Sequence, residues 1–319
     1  MTDQRGASVG DYRAPLFVAW QLTNACRCRC LACCEDSGPD QKWPHELSRA
    51  EALKLARDIV EAGIPYVAFG GGEPVAVPHF WEVCDVLQSG GVAIKLETDG
   101  LLLDEAACAR LKAWQVSCVQ ISLDGASAEV HERVRPGGSF IGAVASVHRL
   151  ADAGLGPEVV FVPTRLNLDD APAVIDLAAK NGARTFVTGP LMRLGRAAAD
   201  WQKLAPNEEQ WRGAVASIEE RVRRYGGQMR LSVYPWDIRE EIRTRRENPQ
   251  AMLLIVPDGM VKLLNALPFS AGDVRRQSLA EVWQAVCRAW RSPQVTEFVD
   301  RVLADPTLLR HANECWQVR

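Results

Sequence analysis

Five cysteines crowd the nine residues from Cys26 to Cys34, a density that points to metal chemistry. The run contains one C-x3-C-x2-C register, formed by Cys26, Cys30 and Cys33, and leaves Cys28 and Cys34 outside it. Three thiolates on one short loop can hold three irons of a [4Fe–4S] cube and leave the fourth open to a cofactor or substrate. An electron-transfer cluster differs in having four cysteines that close every iron. The competing readings are a zinc knuckle and a set of unpaired loop thiols. Structural zinc wants four ligands, usually as two C-x2-C pairs, and the chain offers no second pair.

Further polar groups recur at regular intervals after this loop. An apolar stretch runs into Gly70-Gly71-Gly72-Glu73-Pro74, the next into Glu97-Thr98-Asp99-Gly100, and a third into Ser122-Leu123-Asp124-Gly125. Glycines at a strand end allow close approach to the backbone, and Glu73 can accept hydrogen bonds from an ammonium group. Hydroxyls and carboxylates such as Thr98, Ser122 and Asp124 suit a ribose diol, although Asp is also an ordinary helix cap. Recurrence after successive strands favours a shared rim.

A βα rhythm positions these groups. Strands are expected at Leu16–Leu22, Tyr66–Phe69, Val92–Glu97, Cys118–Leu123, Glu158–Val162 and Arg184–Thr188. Most are short apolar runs, as for strands buried on both faces. Ser48 and Glu51 form a capping box ahead of an amphipathic helix, and Gly63, Gly154 and Gly182 are placed to close helices. Alternating strands and helices imply a parallel sheet with right-handed crossovers. About six such units, against the eight of a closed barrel, predict an α/β fold: a partial (βα)6 TIM-like barrel with a small α/β C-terminal lobe. The expected divisions are an N-terminal extension over 1–15, a core over 16–200 and the lobe over 201–319. In the lobe, Leu253–Val256 and Val261–Leu264 read as a hairpin turned by Pro257-Asp258-Gly259, and a last amphipathic helix is expected near 278–290.

With 319 residues, a hydrophobic fraction of 47% and a net charge of −3, the chain suits a globular enzyme with no broad attraction for nucleic acid or anionic membrane. Residues 1–13 lack the apolar core of a signal peptide, and no apolar run reaches the length of a membrane span. Thiols meant for iron need a reducing compartment, so a cytoplasmic location is expected. Cys84, Cys108 and Cys118 are read as packing residues, as are Trp81, Trp114, Trp211 and Trp283. The cluster Arg239, Arg243, Arg245 and Arg246 is read as a solvated helix face.

From Leu16 to Arg196 the chain resembles the radical S-adenosylmethionine (SAM) superfamily, through the C-x3-C-x2-C loop and the Gly-Gly-Glu-Pro that follows it. The resemblance implies that Cys26, Cys30 and Cys33 hold one [4Fe–4S] cluster whose open iron is chelated by SAM. It implies that Gly71, Gly72 and Glu73 line the SAM amino group, with Ser122 and Asp124 at its methionine and ribose parts. Arg135, in a His-x3-Arg arrangement with His131, resembles the arginine that pairs with the SAM carboxylate. Reductive cleavage of SAM then gives a 5′-deoxyadenosyl radical that abstracts a substrate hydrogen, with an external donor such as flavodoxin or ferredoxin supplying the electron.

The phrases around Phe69, Gln120, Glu129–Phe140 and Leu194-Gly195-Arg196 are similar to the peptide maturases of pyrroloquinoline quinone and mycofactocin biosynthesis. Those enzymes end in a SPASM domain, and Val256-Pro257-Asp258-Gly259-Met260-Val261 matches one of its phrases. Here Lys262-Leu263-Leu264 stands where that domain carries a cysteine, and only Cys287 and Cys315 remain in the tail, too few for an auxiliary cluster. Ala32 replaces an aromatic, and Asp99 a common asparagine. A peptide substrate is expected, delivered by a separate peptide-binding protein because only about fifteen residues precede the first strand. The alternatives are a small metabolite (a sugar, nucleoside or tetrapyrrole) modified by decarboxylation, elimination or epimerisation, and a non-catalytic iron–sulfur protein.

Overall fold

A computed structural model describes residues 12–318. Most of the extension expected over residues 1–15 therefore lies outside the described residues. Six strands follow the predicted rhythm: β1 (Phe17–Thr23), β2 (Tyr66–Gly71), β3 (Ala93–Thr98), β4 (Cys118–Ser122), β5 (Glu158–Val160) and β6 (Thr185–Thr188). They pair in parallel in sequence order. Between them lie α1 (Arg49–Glu61), α2 (Phe80–Ser89), α3 (Glu105–Ala113), α4 (Ala128–Val134), α5 (Phe140–Asp152) and α6 (Ala171–Lys180). Ser48 and Glu51 form the expected capping box at α1, satisfying helix-end N–H groups.

The strands are not buried on both faces. Val18, Trp20 and Leu22 are buried in β1, while the intervening Phe17, Ala19 and Gln21 are only partly covered. In β3, Ile94 and Leu96 are buried while Lys95 is half-buried and Glu97 exposed. The buried face packs under the helices, where Trp20, Phe69 and Phe80 meet at centroid distances of 5.6 and 5.5 Å. Residues of the opposite face, among them Gly70, Glu97 and Ser122, line a cavity. Apolar periodicity reports burial, and a hollow interior removes it from one face.

Past residue 190 the chain forms α7 (Gly195–Ala199), α8 (Trp201–Leu204), α9 (Glu208–Arg223), β7 (Arg230–Val233) and α10 (Ile238–Glu247). It ends in β8 (Met252–Ile255), β9 (Met260–Lys262), β10 (Phe269–Asp273), α11 (Leu279–Ala289), α12 (Pro293–Ala304) and β11 (Trp316–Gln317). α11 is the helix expected near 278–290, but it is not the last. Strand β7 adds in parallel to β6, and β8 adds in parallel to β1. The result is one open sheet with the order β11-β10-β9-β8-β1-β2-β3-β4-β5-β6-β7. Among the described residues β7 and β8 do not pair, so the barrel stays partial. The predicted hairpin is present as antiparallel β8 and β9.

The arginine cluster on α10 is only partly solvated. Arg239 and Arg243 are exposed, but Arg245 pairs with buried Glu241 at 2.9 Å and stacks over Trp236. Cys84, Cys108 and Trp283 are buried as expected; Cys118, Trp81, Trp114 and Trp211 are only partly so. No helix among the described residues is long and apolar enough to cross a membrane.

Candidate active site

The cysteine loop leaves the C-terminal end of β1 with no helix or long strand of its own, so its backbone groups find partners elsewhere. Cys26 N–H donates to Gly38 O (3.1 Å), Arg29 N–H to Pro136 O (2.7 Å) and Leu31 N–H to Val134 O (2.9 Å). Arg196 donates from Nε to Cys30 O (2.8 Å) and from Nη2 to Ser37 O (2.6 Å). Asn313 Nδ2 holds Cys34 O at 2.8 Å. Glu46 closes the loop's base by accepting from the Thr23 hydroxyl and from Asn24 N–H.

Gly71 and Gly72 serve this loop before any ligand. Gly71 has φ +99°, and a Cβ there would lie 2.6 Å from Thr23 O. A Cβ on Gly72 would lie 2.1 Å from Ala25 O. Gly72 N–H donates to Thr23 O (2.7 Å) and Glu73 N–H to Ala25 O (2.9 Å). The glycines thus admit the neighbouring backbone, a closer constraint than the ligand approach expected of them.

A cavity of about 280 Å³ opens where these segments meet. Every predicted site residue lines it: Cys26, Cys30, Cys33, Gly71, Gly72, Glu73, Thr98, Ser122, Asp124 and Arg135. Cys28 and Cys34 reach the same wall, so proximity does not separate the three-cysteine register from the other two. Their surroundings differ from thiol to thiol without following that register. Cys28 is buried, its thiol 3.8 Å from Asp99 Oδ2, and its pKa is driven far up by hydrogen bonds with Cys26 and Cys30. Burial holds the Cys34 thiol well above its ordinary value. The hydrogen bond from Cys28, helped by the charge of Arg135, brings Cys30 down to about 6. Cys26 is also lowered, chiefly by Cys28, whereas burial and Glu35 raise Cys33 to about 12.

Among the described residues no three His, Cys, Asp or Glu side chains converge closely enough to hold one metal ion. The thiols instead share a wall, which suits a polynuclear cluster gripped at several corners.

Glu73 is 1% exposed, and its carboxylate accepts from Thr98 Oγ1 (2.7 Å), Val75 N–H (3.1 Å) and Asp99 N–H (2.9 Å). Burial, then the Asp99 charge, push it up to about 8 despite these donors. Asp124 accepts from Val162 N–H at 2.7 Å and pairs with Arg135 Nε at 2.5 Å. Opposite, Glu35 lies beside Gln21 (3.4 Å) and rises to about 7 through burial and Glu97.

Sequence reasoning assigned no role to Arg196, Asn265 or Asn313. Arg196 was visible only within the Leu194-Gly195-Arg196 phrase. A Cβ on Gly195 would lie 2.4 Å from Cys33 O, so this phrase exists to press on the cysteine loop. Asn265 joins the cavity wall and Asn313 tethers the loop from the tail, contacts without a local sequence signal. Lys262, in place of the expected tail cysteine, is 4% exposed and donates to the Ala312 carbonyl.

Residues 20–178 match the Radical SAM superfamily. Residues 20–178 thus form a radical SAM domain. Such domains work with a [4Fe–4S] cluster and SAM, and the site described lies within and beside this one. The mycofactocin maturase MftC of Mycolicibacterium smegmatis is 38% identical over 200 residues, which cover 62% of this chain and 50% of the relative. The chain thus spans about half the length of that maturase. An AdoMet-dependent heme synthase of Methanosarcina barkeri is 26% identical over 303 residues, covering 88% of this chain and 86% of the relative. The crystal structure of Streptococcus suis SuiB bound to S-adenosylmethionine superposes with a TM-score of 0.71 over 90% of this chain and 68% of that one, at 11% identity. That likeness is one of fold.

Proposed function

We propose that the protein is a radical SAM enzyme that cleaves SAM reductively at one [4Fe–4S] cluster and modifies a peptide by hydrogen abstraction. The observation that carries the reading is the single cavity that unites the cysteine loop with the polar ends of β2, β3 and β4. Cys26, Cys30 and Cys33 would hold the cluster. The Gly71 and Gly72 backbone and Glu73 would meet the SAM ammonium, Thr98, Ser122 and Asp124 its ribose and methionine parts, and Arg135 its carboxylate. When bound, the reduced cluster and SAM supply a 5′-deoxyadenosyl radical. The protein's own part is to orient SAM, exclude water and present a substrate hydrogen.

The polar wall supports a peptide. The wall carries Glu35, Glu73, Glu97, Asp99 and Asp124 against Arg135 and Arg196. Arg135 is paired with Asp124, and Arg196 donates to backbone carbonyls. Deeper in the barrel, Lys95 is engaged by Glu97 at 2.7 Å. With Glu73 and Glu35 raised by burial to about 8 and about 7, the wall acts mainly through its hydrogen-bond acceptors, which suit amide N–H groups and basic side chains. A flavodoxin- or ferredoxin-type donor, a separate peptide-binding protein and a reducing cytoplasm complete the reading.

The second reading is a tetrapyrrole or other small metabolite. It is favoured by the match to the heme synthase along most of both chains. The test supplies SAM and dithionite with either a peptide mixture or an iron coproporphyrin, and follows 5′-deoxyadenosine release and product mass. Peptides should raise release and change in mass. Stimulation by the porphyrin alone would transfer the assignment to the second reading.

A further inference from the structure

We infer that Arg135 is a positioning residue for the cluster: it places a guanidinium N–H on the sulfur of Cys30, and Asp124 holds it there. The inference rests on the reading that Cys30 is a cluster ligand. It adds a role that does not require SAM.

Backbone geometry sets the register first. Arg29 N–H donates to Pro136 O at 2.7 Å and Leu31 N–H to Val134 O at 2.9 Å. These two bonds bracket Cys30 on one segment and Arg135 on the other, so the two residues face each other whatever their side chains do. Arg135 closes α4, its own N–H bonded to His131 O at 2.9 Å. Its side chain then reaches Cys30 Sγ from Nη1 at 3.5 Å and Asp124 Oδ2 from Nε at 2.5 Å.

Asp124 is itself fixed on every side. Its Oδ1 accepts from Val162 N–H at 2.7 Å, its carbonyl accepts from Asn167 Nδ2 at 3.0 Å, and its N–H donates to His131 Nδ1 at 3.2 Å. The ion pair is almost dry, with side-chain exposures of 13% for Arg135 and 2% for Asp124. A guanidinium presents its donors in a rigid fork, so holding Nε aims Nη1. Each Asp124 oxygen already accepts one strong bond, which makes the carboxylate an anchor for Arg135 before it is a ribose ligand.

A hydrogen bond and a positive charge at a cluster thiolate stabilise the more negative, reduced state, and such bonds help set cluster potentials. Arg135 should therefore raise the reduction potential and ease entry of the first electron. An arginine serving only the SAM carboxylate would have no such effect while SAM is absent.

The experiment is a redox titration of the anaerobically reconstituted full chain without SAM, read by electron paramagnetic resonance of the reduced cluster, for wild type, Arg135→Gln and Arg135→Lys. Arg135→Gln should shift the reduction equilibrium at least tenfold toward the oxidised form, about 59 mV for one electron. Arg135→Lys keeps the charge but loses the fork, and should fall between the two. If Arg135→Gln takes up no iron, the lysine variant decides on the same scale. A wild-type midpoint in the variant that loads, or failure of both variants to load, would overturn the tuning role. Wild-type protein that takes up no iron would be a different failure, that of the cluster reading itself.

Discussion

The cysteine loop and the β8–β10 tail meet at one side of the cavity and are held in opposite ways. The loop is tied by single polar contacts from distant segments: Val134 and Pro136 carbonyls, the Arg196 guanidinium and the Asn313 amide. The tail is held by apolar burial, with Leu253, Ile255, Val261, Leu267 and Phe269 essentially inaccessible. Polar tethers fix geometry while contributing modest net stability, about 0.5–1.5 kcal/mol each. Apolar burial contributes more but specifies position less sharply. A loop that must admit cofactors is thus fastened at points, and the wall behind it is packed.

If this contrast is sound, substitutions in the loop should remove cofactor and leave the fold, while those in the tail should do the reverse. The largest effect is expected for the combined replacement of Cys26, Cys30 and Cys33 by Ala. Iron in the reconstituted protein should fall from about four per chain to none with an unchanged melting transition, whereas Cys28→Ala and Cys34→Ala should retain iron. Cluster retained in the triple variant would break the assignment.

The counterpart in the tail is Phe269→Ala. This ring packs edge-on against Phe298 and Trp316 at centroid distances of 5.3 and 5.7 Å. Its loss should cost about 3–5 kcal/mol in denaturant titration. A cost near zero would show that the tail is not held by packing.

Gly72→Ala tests the seam between the two schemes. A Cβ 2.1 Å from Ala25 O must push the loop away from β2. Iron per chain should fall to roughly half of wild type or less, since the strand end has no room for a side chain. Full loading would mean that the loop adjusts freely.

A smaller effect concerns pH. Burial and Asp99 raise Glu73 from 4.5 to about 8 in the folded chain. Between those values the folded state keeps a proton that the unfolded state has released, so stability falls as pH rises through the window. The slope from this group is at most about 1.4 kcal/mol per pH unit. In metal-free protein Glu73→Gln should flatten part of it, with Glu35 still contributing in the same direction below its value of about 7. An unchanged slope would remove Glu73 from the list of buried acids.

Much of the chemistry was legible because it is local. The cysteine register, the Gly-Gly-Glu turn and the β3 and β4 ends each lie within a few residues of a strand, and parallel topology carries strand ends to one rim. Gly63, Gly154 and Gly182 adopt the positive φ that their helix ends demand. The supports were not legible. Arg196 and Asn313 act on the loop across 166 and 279 residues, and no spacing announces such a contact. The addition of β7 and β8 to opposite sides of the six-strand core is equally non-local. Helix α12 was missed even though Ser292 caps it and Pro293 opens it, a start signal visible in the chain.

The most direct test of the central claim is reductive cleavage of SAM by the reconstituted full chain. With dithionite and SAM, anaerobic protein carrying one cluster should release 5′-deoxyadenosine and methionine, even slowly without substrate. Glu73→Ala should weaken SAM binding by about 1.5–3 kcal/mol, the worth of a hydrogen bond to a charged group. Protein that holds its cluster yet neither binds nor cleaves SAM would contradict the account and leave an iron–sulfur protein without radical chemistry.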